Sequence, residues 1–364
     1  RLPCHYRDTR TAGTVEKVLK KIPADNLYRA TGNQIMEINT LFQLTTEDTA
    51  GAEKLLFMPD LFAHHLCGSM QTEPTIASTS QLLDPVNQTW RTDIAKACGI
   101  DPQLLPAVGP SATVLGKTDG GIQVIATAGH DTQFAIFGSG ADKNQPVLSS
   151  GTWEILMARS AQARLTREDY EDGATAEFDA ESGLLNPGLQ WLGSGIIEWV
   201  KAACFHGESY DTMDAEADAV PPGCDGVTMV PDFLASGDRK GSINGLVLGR
   251  TRGHIYRAAM EALTWRLKSR LRRLESVGGF KSEFLILVGG GARNSVWTQM
   301  RADILRIPVK VSEVSESTVL GASMFAFAGA GVYSTPEQAR DAFGITYRTY
   351  MPGSQEAAYE KFNQ

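Results

Sequence analysis

The first third of the chain repeats apolar positions at the spacing of amphipathic helices. Pro23, Gly68 and Gly99 follow such stretches and are the predicted helix stops, because proline and glycine interrupt helical backbone. The Thr/Ser-rich run at 75–80 is predicted to be a surface loop, with a wall of a ligand site as the alternative. We therefore expect a mainly helical region without enough strands for a full sheet of its own. The predicted helices span 12–22, a segment that begins at 39 or 40, 61–66 and 94–98.

From residue 122 onward, short apolar runs predict strands that alternate with helices, which is the pattern of an α/β fold. Residues 252–277 carry an apolar stripe that predicts one long helix, and the basic run 266–273 is interpreted as its solvated face. Residues 183–191 are predicted to form a polar loop, Trp199 is expected in the core, and Gly321 is expected to allow close helix packing. The predicted strands span 123–127, 147–149, 153–158, 225–231, 284–288 and 308–311, and the other predicted helices span 196–203, 296–305, 318–330, 336–343 and 355–362.

One apolar run, residues 123–128, ends in Gly129-His130-Asp131 and is followed by a helix-compatible segment. We interpret it as a buried strand that delivers a His-Asp pair to the edge of a sheet, where open α/β sheets bind their ligands. An aspartate at that position is suited to act as a general base. A cap of the following helix is the alternative role for Asp131, and this stretch alone leaves both open.

Two further segments have the composition of phosphate-binding loops. Residues 146–157 read as two strands joined by a Ser-Ser-Gly-Thr turn, whose backbone N–H groups can hold a phosphate oxygen, with added hydroxyls from Ser150 and Thr152. An ordinary hairpin is the alternative. The glycine run 289–291 lies between a strand and a helix, where backbone can approach a nucleotide closely. It matches neither the dinucleotide-binding fingerprint nor a Walker loop.

Composition narrows the class of protein. The chain has 364 residues, 42% of them hydrophobic, with a net charge of -8 and no basic block, which argues against nucleic acid or a membrane surface as the partner. No apolar run is long enough to cross a bilayer. The five scattered cysteines form no CxxC pair and predict reduced thiols of a cytoplasmic protein rather than a disulfide or zinc framework. The histidines show no metal-binding spacing.

The three motifs stand in one order: strand–Gly-His-Asp–helix, the hairpin Ser-Ser-Gly-Thr-Trp, and strand–Gly-Gly-Gly-Ala-Arg-Asn–helix. Together they resemble the FGGY family of carbohydrate kinases over essentially the whole chain. The resemblance implies a two-domain α/β protein with the actin/hexokinase-like (ribonuclease H-like) ATPase fold. It divides the chain into the remainder of the sugar-binding N-terminal domain at 1–130 and the nucleotide-binding C-terminal domain at 131–364.

Within that family, residues 130–135 and 148–156 are most similar to L-fuculose kinases. Residues 6–11, 39–44 and 56–60 are also similar to L-rhamnulose kinases. Both groups phosphorylate O1 of a 6-deoxy-ketohexose. The resemblance therefore implies ATP-dependent conversion of L-fuculose to L-fuculose 1-phosphate, with L-rhamnulose or another ketose as the alternative. It implies ATP and Mg²⁺ as cofactors and a small sugar as the partner, and it is compatible with a homodimer.

The resemblance also implies roles for individual residues. Asp131 corresponds to the catalytic base that takes the proton of the sugar hydroxyl. His130 corresponds to a sugar contact, and its neighbours Thr132 and Gln133 belong to the same substrate site. The residues that correspond to the ATP-binding motifs are Ser150, Gly151, Thr152, Gly193, Gly195, Glu198, Gly290, Gly291 and Asn294.

One element of the family is expected outside this sequence. The fold is a duplication, and its first half should supply a hairpin of the form Asp-x-Gly-x-Thr/Ser, whose carboxylate helps to hold Mg²⁺. The 364 residues contain no such hairpin and open without Met at the turn-like segment 6–11, so we expect the N-terminal part of the first domain to be absent and identify no metal ligand. A truncated, inactive sugar- or nucleotide-binding protein is the alternative from another class. An actin-like structural ATPase is disfavoured by the loop regions 152–190 and 222–245.

Overall fold

The computed structural model describes residues 5, 8–127, 129–234 and 240–362. Within these residues, helices dominate the first third and strands alternate with helices afterwards. The helices are α1 (Thr14–Leu19), α2 (Ala24–Thr31), α3 (Thr40–Leu44), α4 (Met58–Cys67), α5 (Pro74–Ser78), α6 (Thr92–Ala97), α7 (Asp131–Gly138), α8 (Arg167–Glu171), α9 (Ser194–Cys204), α10 (Tyr210–Asp218), α11 (Arg252–Gly278), α12 (Ser295–Leu305), α13 (Ser317–Gly329), α14 (Pro336–Phe343) and α15 (Glu356–Glu360). The strands are β1 (Gln71–Thr72), β2 (Ala107–Val108), β3 (Thr113–Lys117), β4 (Gln123–Ala126), β5 (Pro146–Ser150), β6 (Trp153–Ala158), β7 (Thr175–Phe178), β8 (Leu185–Leu192), β9 (Thr228–Val230), β10 (Ser242–Asn244), β11 (Leu285–Val288), β12 (Val309–Ser312) and β13 (Tyr347–Tyr350).

The first region is mainly helical, as predicted, and it has its own apolar core. Val18 of α1, Leu27 of α2, Phe42 of α3 and Ile94 of α6 are buried together in it. Helix α1 ends at Leu19, before the predicted stop at Pro23, and Pro23 is the N-cap residue of α2, a helix that the sequence pattern missed. Proline lacks an N–H group and has a fixed φ, so it is tolerated where a helix begins.

The Thr/Ser-rich run is not a surface loop, and that prediction is wrong. Residues 75–78 belong to the short helix α5, and both Thr75 in this helix and Ser80 just after it are fully buried. Burial is tolerated because the hydroxyls hydrogen-bond locally: Ser78 Oγ donates to the Thr75 carbonyl at 2.6 Å, and Ser80 Oγ donates to the Ala77 carbonyl at 2.6 Å. A polar run can therefore belong to the interior.

The strand before Gly129 was predicted to be buried, but the observed strand β4 is exposed at its first residue and only half-buried at the others. β4 pairs antiparallel with β3 in a separate two-stranded sheet, and Gln123 is exposed. The run is apolar because Ile125 packs beside Gly329 of α13, not because it lies inside a large sheet. Ala128, the residue before Gly129, lies outside the described residues.

A seven-stranded mixed sheet with the order β13-β12-β11-β5-β6-β8-β7 organises the second half. β11 lies parallel to both β5 and β12. Leu285 and Leu287 of β11 join the core beside α11 and α12, whereas Ile286 faces the opposite side with Val147. A strand buried on both faces has an unbroken apolar sequence rather than a polar alternation, which is why residues 284–288 are predicted to form a strand.

The predicted loop at 183–191 is wrong, because β8 runs through it and pairs with both β6 and β7. Asn186, Pro187 and Gly188 are residue types common in turns, which is why a loop was predicted. In the strand, Gly188 is required because a Cβ there would lie 2.6 Å from Met157 Cγ. The core prediction for Trp199 is also wrong. Its side chain is 45% exposed and packs edge-on against Phe233.

The long helix and the small-residue helix are confirmed. α11 covers 27 residues, and its basic face is paired as well as solvated: Arg273 Nη2 lies 2.7 Å from Glu168 and 2.5 Å from Asp172. Gly321 of α13 lies against α7, where a Cβ would lie 2.9 Å from the carbonyl carbon of Phe134.

Other predictions concern thiols and membranes. Cys67, Cys98, Cys204 and Cys224 are free, whereas Cys4 and the segment 6–7 lie outside the described residues. None of the helices in the described part of the chain combines the length and apolarity that a bilayer crossing requires.

Candidate active site

A cleft of about 760 Å³, lined by both polar and apolar side chains, lies between the helical first region and the large sheet. Its walls come from the turn after α2, helices α3 to α5, the start of α7 and strands β6 to β8. A cleft of this size suits a small-molecule ligand. The polar residues that line it are Asn33, Gln34, Asn39, Thr40, Gln43, Thr79, His130, Asp131, Thr132, Thr175, Glu177 and Gln190.

Asp131, the predicted base, is the first residue of α7 and faces this cleft. Its carboxylate accepts hydrogen bonds from the Thr132 N–H at 2.7 Å and from Thr132 Oγ1 at 3.3 Å, yet the side chain is 83% exposed. The N-cap position itself belongs to His130, whose Nδ1 accepts the Thr132 N–H at 3.2 Å. Asp131 is therefore open to a ligand while its neighbour caps the helix.

His130 is held at both its backbone and its ring. Its backbone N–H donates to Thr75 Oγ1 at 2.9 Å. Because Nδ1 accepts a hydrogen bond, the neutral ring carries its proton on Nε2. Nε2 lies 3.9 Å from Glu177 Oε2 at the cleft wall. A donor and an acceptor therefore lie side by side at this position.

Gln133, predicted to bind substrate, lies behind the cleft wall rather than on it. It is fully buried; its Nε2 donates to Glu177 Oε2 at 2.5 Å, and its Oε1 accepts from Asn186. Gln133 therefore orients Glu177, which reaches the cleft itself. Sequence reasoning missed Glu177, although the alternation of Thr175, Ala176, Glu177 and Phe178 is a strand signal that could have found it.

Four of the predicted ATP-binding residues meet at one turn. The backbone N–H groups of Gly193 and Gly195 donate to the Thr152 carbonyl at 3.0 and 3.2 Å, and the Ser194 N–H donates to the Gly151 carbonyl at 3.0 Å. The beginning of α9 therefore holds the turn between β5 and β6. Thr152 is exposed at the tip of that turn.

The side chain of Ser150 is buried, and its hydroxyl is hydrogen-bonded within the protein. Its hydroxyl donates to Glu154 Oε1 at 3.1 Å and accepts from Arg301 Nη2 at 3.0 Å, and the residue is fully buried. The glycine run packs directly on it: a Cβ on Gly291 would lie 2.9 Å from Ser150 Cβ. A Cβ on Gly290 would instead meet open space. Of these three residues, Gly290 leaves room for a ligand against the backbone.

The side chains of Asn294 and Glu198 form hydrogen bonds with other residues of the protein. Asn294 Oδ1 accepts the Trp297 N–H at 2.8 Å and caps α12, while its Nδ2 donates to Asp214 at 2.8 Å and contacts the Tyr256 hydroxyl at 3.0 Å. Burial raises the pKa of both Asp214 and Tyr256. Glu198 accepts the hydroxyl of Tyr210. A role of Asn294 and Glu198 in ATP binding stays a prediction.

An ion pair between Glu154 and Arg301 lies beneath the hairpin and was missed by sequence reasoning. Both side chains are buried; Trp191 Nε1 donates to Glu154 at 2.8 Å, and the Arg301 guanidinium stacks on the Trp297 ring at 3.8 Å. Burial lowers the pKa of Arg301, and the Glu154 carboxylate opposes that effect. This pair joins β6 to α12 and so fixes the hairpin against the glycine run.

The described residues contain no cluster of metal-ligating side chains. Within them, no three His, Cys, Asp or Glu side chains lie close enough together to hold a metal ion. Oxygen ligands are what Mg²⁺ requires. Because Mg²⁺ is usually held by one or two carboxylates together with substrate phosphates and water, the side chains of this part of the chain form no all-protein site for the ion.

Comparisons with known proteins cover nearly the whole chain. Residues 4–148 match the model of the FGGY family of carbohydrate kinases, N-terminal domain, and residues 147–330 match the model of its C-terminal domain. An L-fuculokinase of Escherichia coli K12 is 40% identical over 98% of this chain and 78% of its own length. A rhamnulokinase of Bacteroides thetaiotaomicron is 32% identical over 100% of this chain and 80% of its own length.

A solved structure shows the same fold. The structure of Plasmodium falciparum glycerol kinase with ADP superimposes with a TM-score of 0.87, covering 98% of this chain and 76% of that one, at 19% identity. The actin/hexokinase-like two-domain fold that the sequence resemblance implied is thereby confirmed. The predicted division at 130/131 stays a prediction.

Proposed function

Because this chain belongs to the FGGY family of carbohydrate kinases, which use ATP to phosphorylate sugars, we propose that its substrate is L-fuculose and its product L-fuculose 1-phosphate. Relatives named L-fuculokinase are 38% to 41% identical to it, against 32% for the rhamnulokinase. The observation that carries the proposal of a catalytic site is the exposed Asp131 carboxylate, which lines a cleft beside His130 and Glu177.

The proposed reaction is a displacement at the γ-phosphorus of ATP. The sugar lies in the cleft with its O1 hydroxyl at Asp131, whose carboxylate takes the proton as O1 forms its bond to phosphorus. The bond between the γ-phosphorus and the bridging oxygen breaks, and ADP leaves. Phosphoryl transfer depends mainly on positioning and charge stabilisation, so an exposed, correctly placed carboxylate is the part this cleft must supply.

The relation of the hairpin to the cleft supports this placement. Ile155 lines the cleft and lies in β6 three residues after Thr152. At the rise of a strand this is about 10 Å, which lets phosphates at the hairpin turn approach a sugar in the cleft. The exposed Thr152 hydroxyl and the turn backbone would contact the β- and γ-phosphates.

The sugar hydroxyls would meet a mixed set of donors and acceptors. His130 Nε2–H and the Glu177 carboxylate stand 3.9 Å apart and can bracket one hydroxyl, donating to its oxygen and accepting its proton. Gln133 keeps Glu177 in that orientation. Mg²⁺ is proposed as the companion of ATP because phosphoryl transfer generally uses it.

A second candidate substrate, L-rhamnulose, is favoured by the rhamnulokinase match, which covers 100% of the chain. Initial rates of ATP-dependent ADP release, measured for the full-length protein with each sugar, separate the two. We expect the larger kcat/KM with L-fuculose and a phosphate on O1 of the product by NMR. A larger kcat/KM with L-rhamnulose would move the assignment to that sugar, and ADP release with neither would contradict both.

A further inference from the structure

A buried carboxylate lies directly behind the segment that carries the proposed base. Glu73 is 5% exposed. Its Oε2 accepts the Thr75 N–H at 2.9 Å, the Ile76 N–H at 3.4 Å and the Thr75 hydroxyl, and its Oε1 accepts the Ser111 hydroxyl at 2.5 Å. Burial raises the pKa of Glu73, and these four donors stabilise its charged form against that effect.

The Thr75 hydroxyl connects this carboxylate to the active-site segment. A hydroxyl has one proton to donate, and the Thr75 proton points to Glu73. The oxygen is then free to accept, and the backbone N–H of His130 donates to it at 2.9 Å. His130 is 55 residues further along the chain, so this bond fixes a long-range contact rather than a local turn.

Gly129 shows how closely the two segments approach. A Cβ built on Gly129 would overlap with Glu73 Oε2 and would lie 2.6 Å from Thr75 Oγ1. Glycine is therefore required here because the carboxylate and the hydroxyl occupy the space of a side chain. The backbone of residues 129 and 130 rests on the Glu73–Thr75 pair.

We propose that Glu73 and Thr75 are positioning residues for phosphoryl transfer: through the His130 N–H they fix where Asp131 enters the cleft. This inference rests on the proposed function, in which Asp131 is the base. Neither residue touches the reacting atoms in this account. A shift of about 1 Å in the base can cost about 10²-fold in rate, so the hydrogen bond matters for turnover beyond its own strength.

The alternative is that Glu73 only caps α5. The cap consists of its bonds to the backbone N–H groups of Thr75 and Ile76, which do not involve the Thr75 hydroxyl. Thr75→Val keeps those backbone bonds and the side-chain shape but removes the link to His130. Thr75→Ser keeps the hydroxyl. This pair of variants therefore separates positioning from capping.

Ser78→Ala is a matched control for the loss of a buried hydroxyl in the same helix. Ser78 Oγ donates to the Thr75 carbonyl at 2.6 Å, and it also accepts the Phe178 N–H at 3.2 Å. Its removal lowers stability without touching the His130 link. A change in turnover that follows stability alone would appear in both Thr75→Val and Ser78→Ala.

The experiment measures kcat, the KM for ATP and the melting temperature of the full-length protein, with whichever 6-deoxy-ketohexose the wild type turns over best. We expect Thr75→Val to lower kcat by about 10- to 100-fold with the KM for ATP within twofold, and Thr75→Ser and Ser78→Ala to stay within about threefold of the wild-type kcat. A Thr75→Val kcat within twofold of wild type would overturn the inference, as would an equal loss in Ser78→Ala.

A second variant covers the case in which Thr75→Val does not fold. Glu73→Gln keeps the volume and one acceptor oxygen but loses the charge that attracts the Thr75 hydroxyl, so we expect a kcat loss in the same direction, and an unchanged kcat overturns the inference. Asp131→Asn serves as the reference. If it keeps wild-type turnover, the base assignment fails; if it is inactive while Thr75→Val and Glu73→Gln are normal, only the positioning role fails.

Discussion

Arg301 Nη2 donates to Ser150 Oγ at 3.0 Å, although the two residues are 151 positions apart in the chain. The same guanidinium pairs with the buried carboxylate of Glu154. Ser150 and Glu154 flank the turn predicted to meet the ATP phosphates, and Arg301 belongs to the helix that follows the glycine run. One buried cation therefore holds the two predicted nucleotide motifs together.

Replacement of this cation should destabilise the protein strongly. Arg301→Met removes the partner of a carboxylate that stays buried, so we expect the free energy of unfolding in urea to fall by about 3–5 kcal/mol. Arg167→Met is the control, because Arg167 pairs with Glu171 on the exposed face of α8, and its loss should stay within about 0.5 kcal/mol. If Arg301→Met lowers the free energy of unfolding by less than about 1 kcal/mol, Arg301 does not hold the two motifs together.

Two neighbouring glycines should respond differently to a methyl group. A Cβ on Gly291 would collide with Ser150, whereas a Cβ on Gly290 would meet open space. Gly291→Ala should therefore lower the melting temperature. Gly290→Ala should leave it unchanged and raise the KM for ATP, because the methyl would occupy the space where the nucleotide approaches the backbone. Wild-type ATP kinetics in Gly290→Ala would remove that residue from the proposed nucleotide site.

Glu177 should govern binding of the sugar rather than of ATP. Glu177→Gln loses a charged acceptor in the cleft, which is worth about 1.5–3 kcal/mol, so we expect the KM for the sugar to rise by about 10- to 100-fold. The KM for ATP should change less than twofold. The exposed Glu171 at the end of α8 provides the matched control Glu171→Gln. Equal sugar kinetics in both variants would show that Glu177 does not contact the substrate.

Asp60 should make stability depend on pH. Burial raises the pKa of this carboxyl to about 6. The folded state then binds more protons than the unfolded state between about pH 4 and pH 6, so its stability falls as the pH rises through that window. Asp60→Asn lacks the titration, and its free energy of unfolding relative to wild type should rise by up to about 3 kcal/mol from pH 4 to pH 7. A constant difference, measured by urea unfolding, would argue against the raised pKa.

Short stretches of sequence were enough to predict the elements whose structure depends on the residues within them. The strand at 285–288, the 27-residue helix α11 and the hairpin around residue 151 follow from apolar period and turn composition alone. The predictions were wrong where buried positions hold residue types that usually occur in exposed turns or loops. Pro187 and Gly188 lie in a strand, and the polar residues of α5 lie in the interior.

The candidate site was only partly predictable, for a related reason. His130 and Asp131 are adjacent in the sequence and were found together. Glu177 lies beside the His130 ring although it is 47 residues further along the chain. Glu73 lies against Gly129 although it is 57 residues before His130. No local spacing in the sequence predicts either contact. The close contacts at Gly129 could be interpreted only once the carboxylate behind it was known.

The most direct test of the account is the turnover of Asp131→Asn in the full-length protein with ATP and L-fuculose. The amide keeps the shape of the side chain but cannot accept the O1 proton, so we expect kcat to fall by about 10²–10⁴-fold while ATP binding and the melting temperature stay at wild-type values. Near-normal turnover in this variant would contradict the assignment of Asp131 as the base of a sugar kinase.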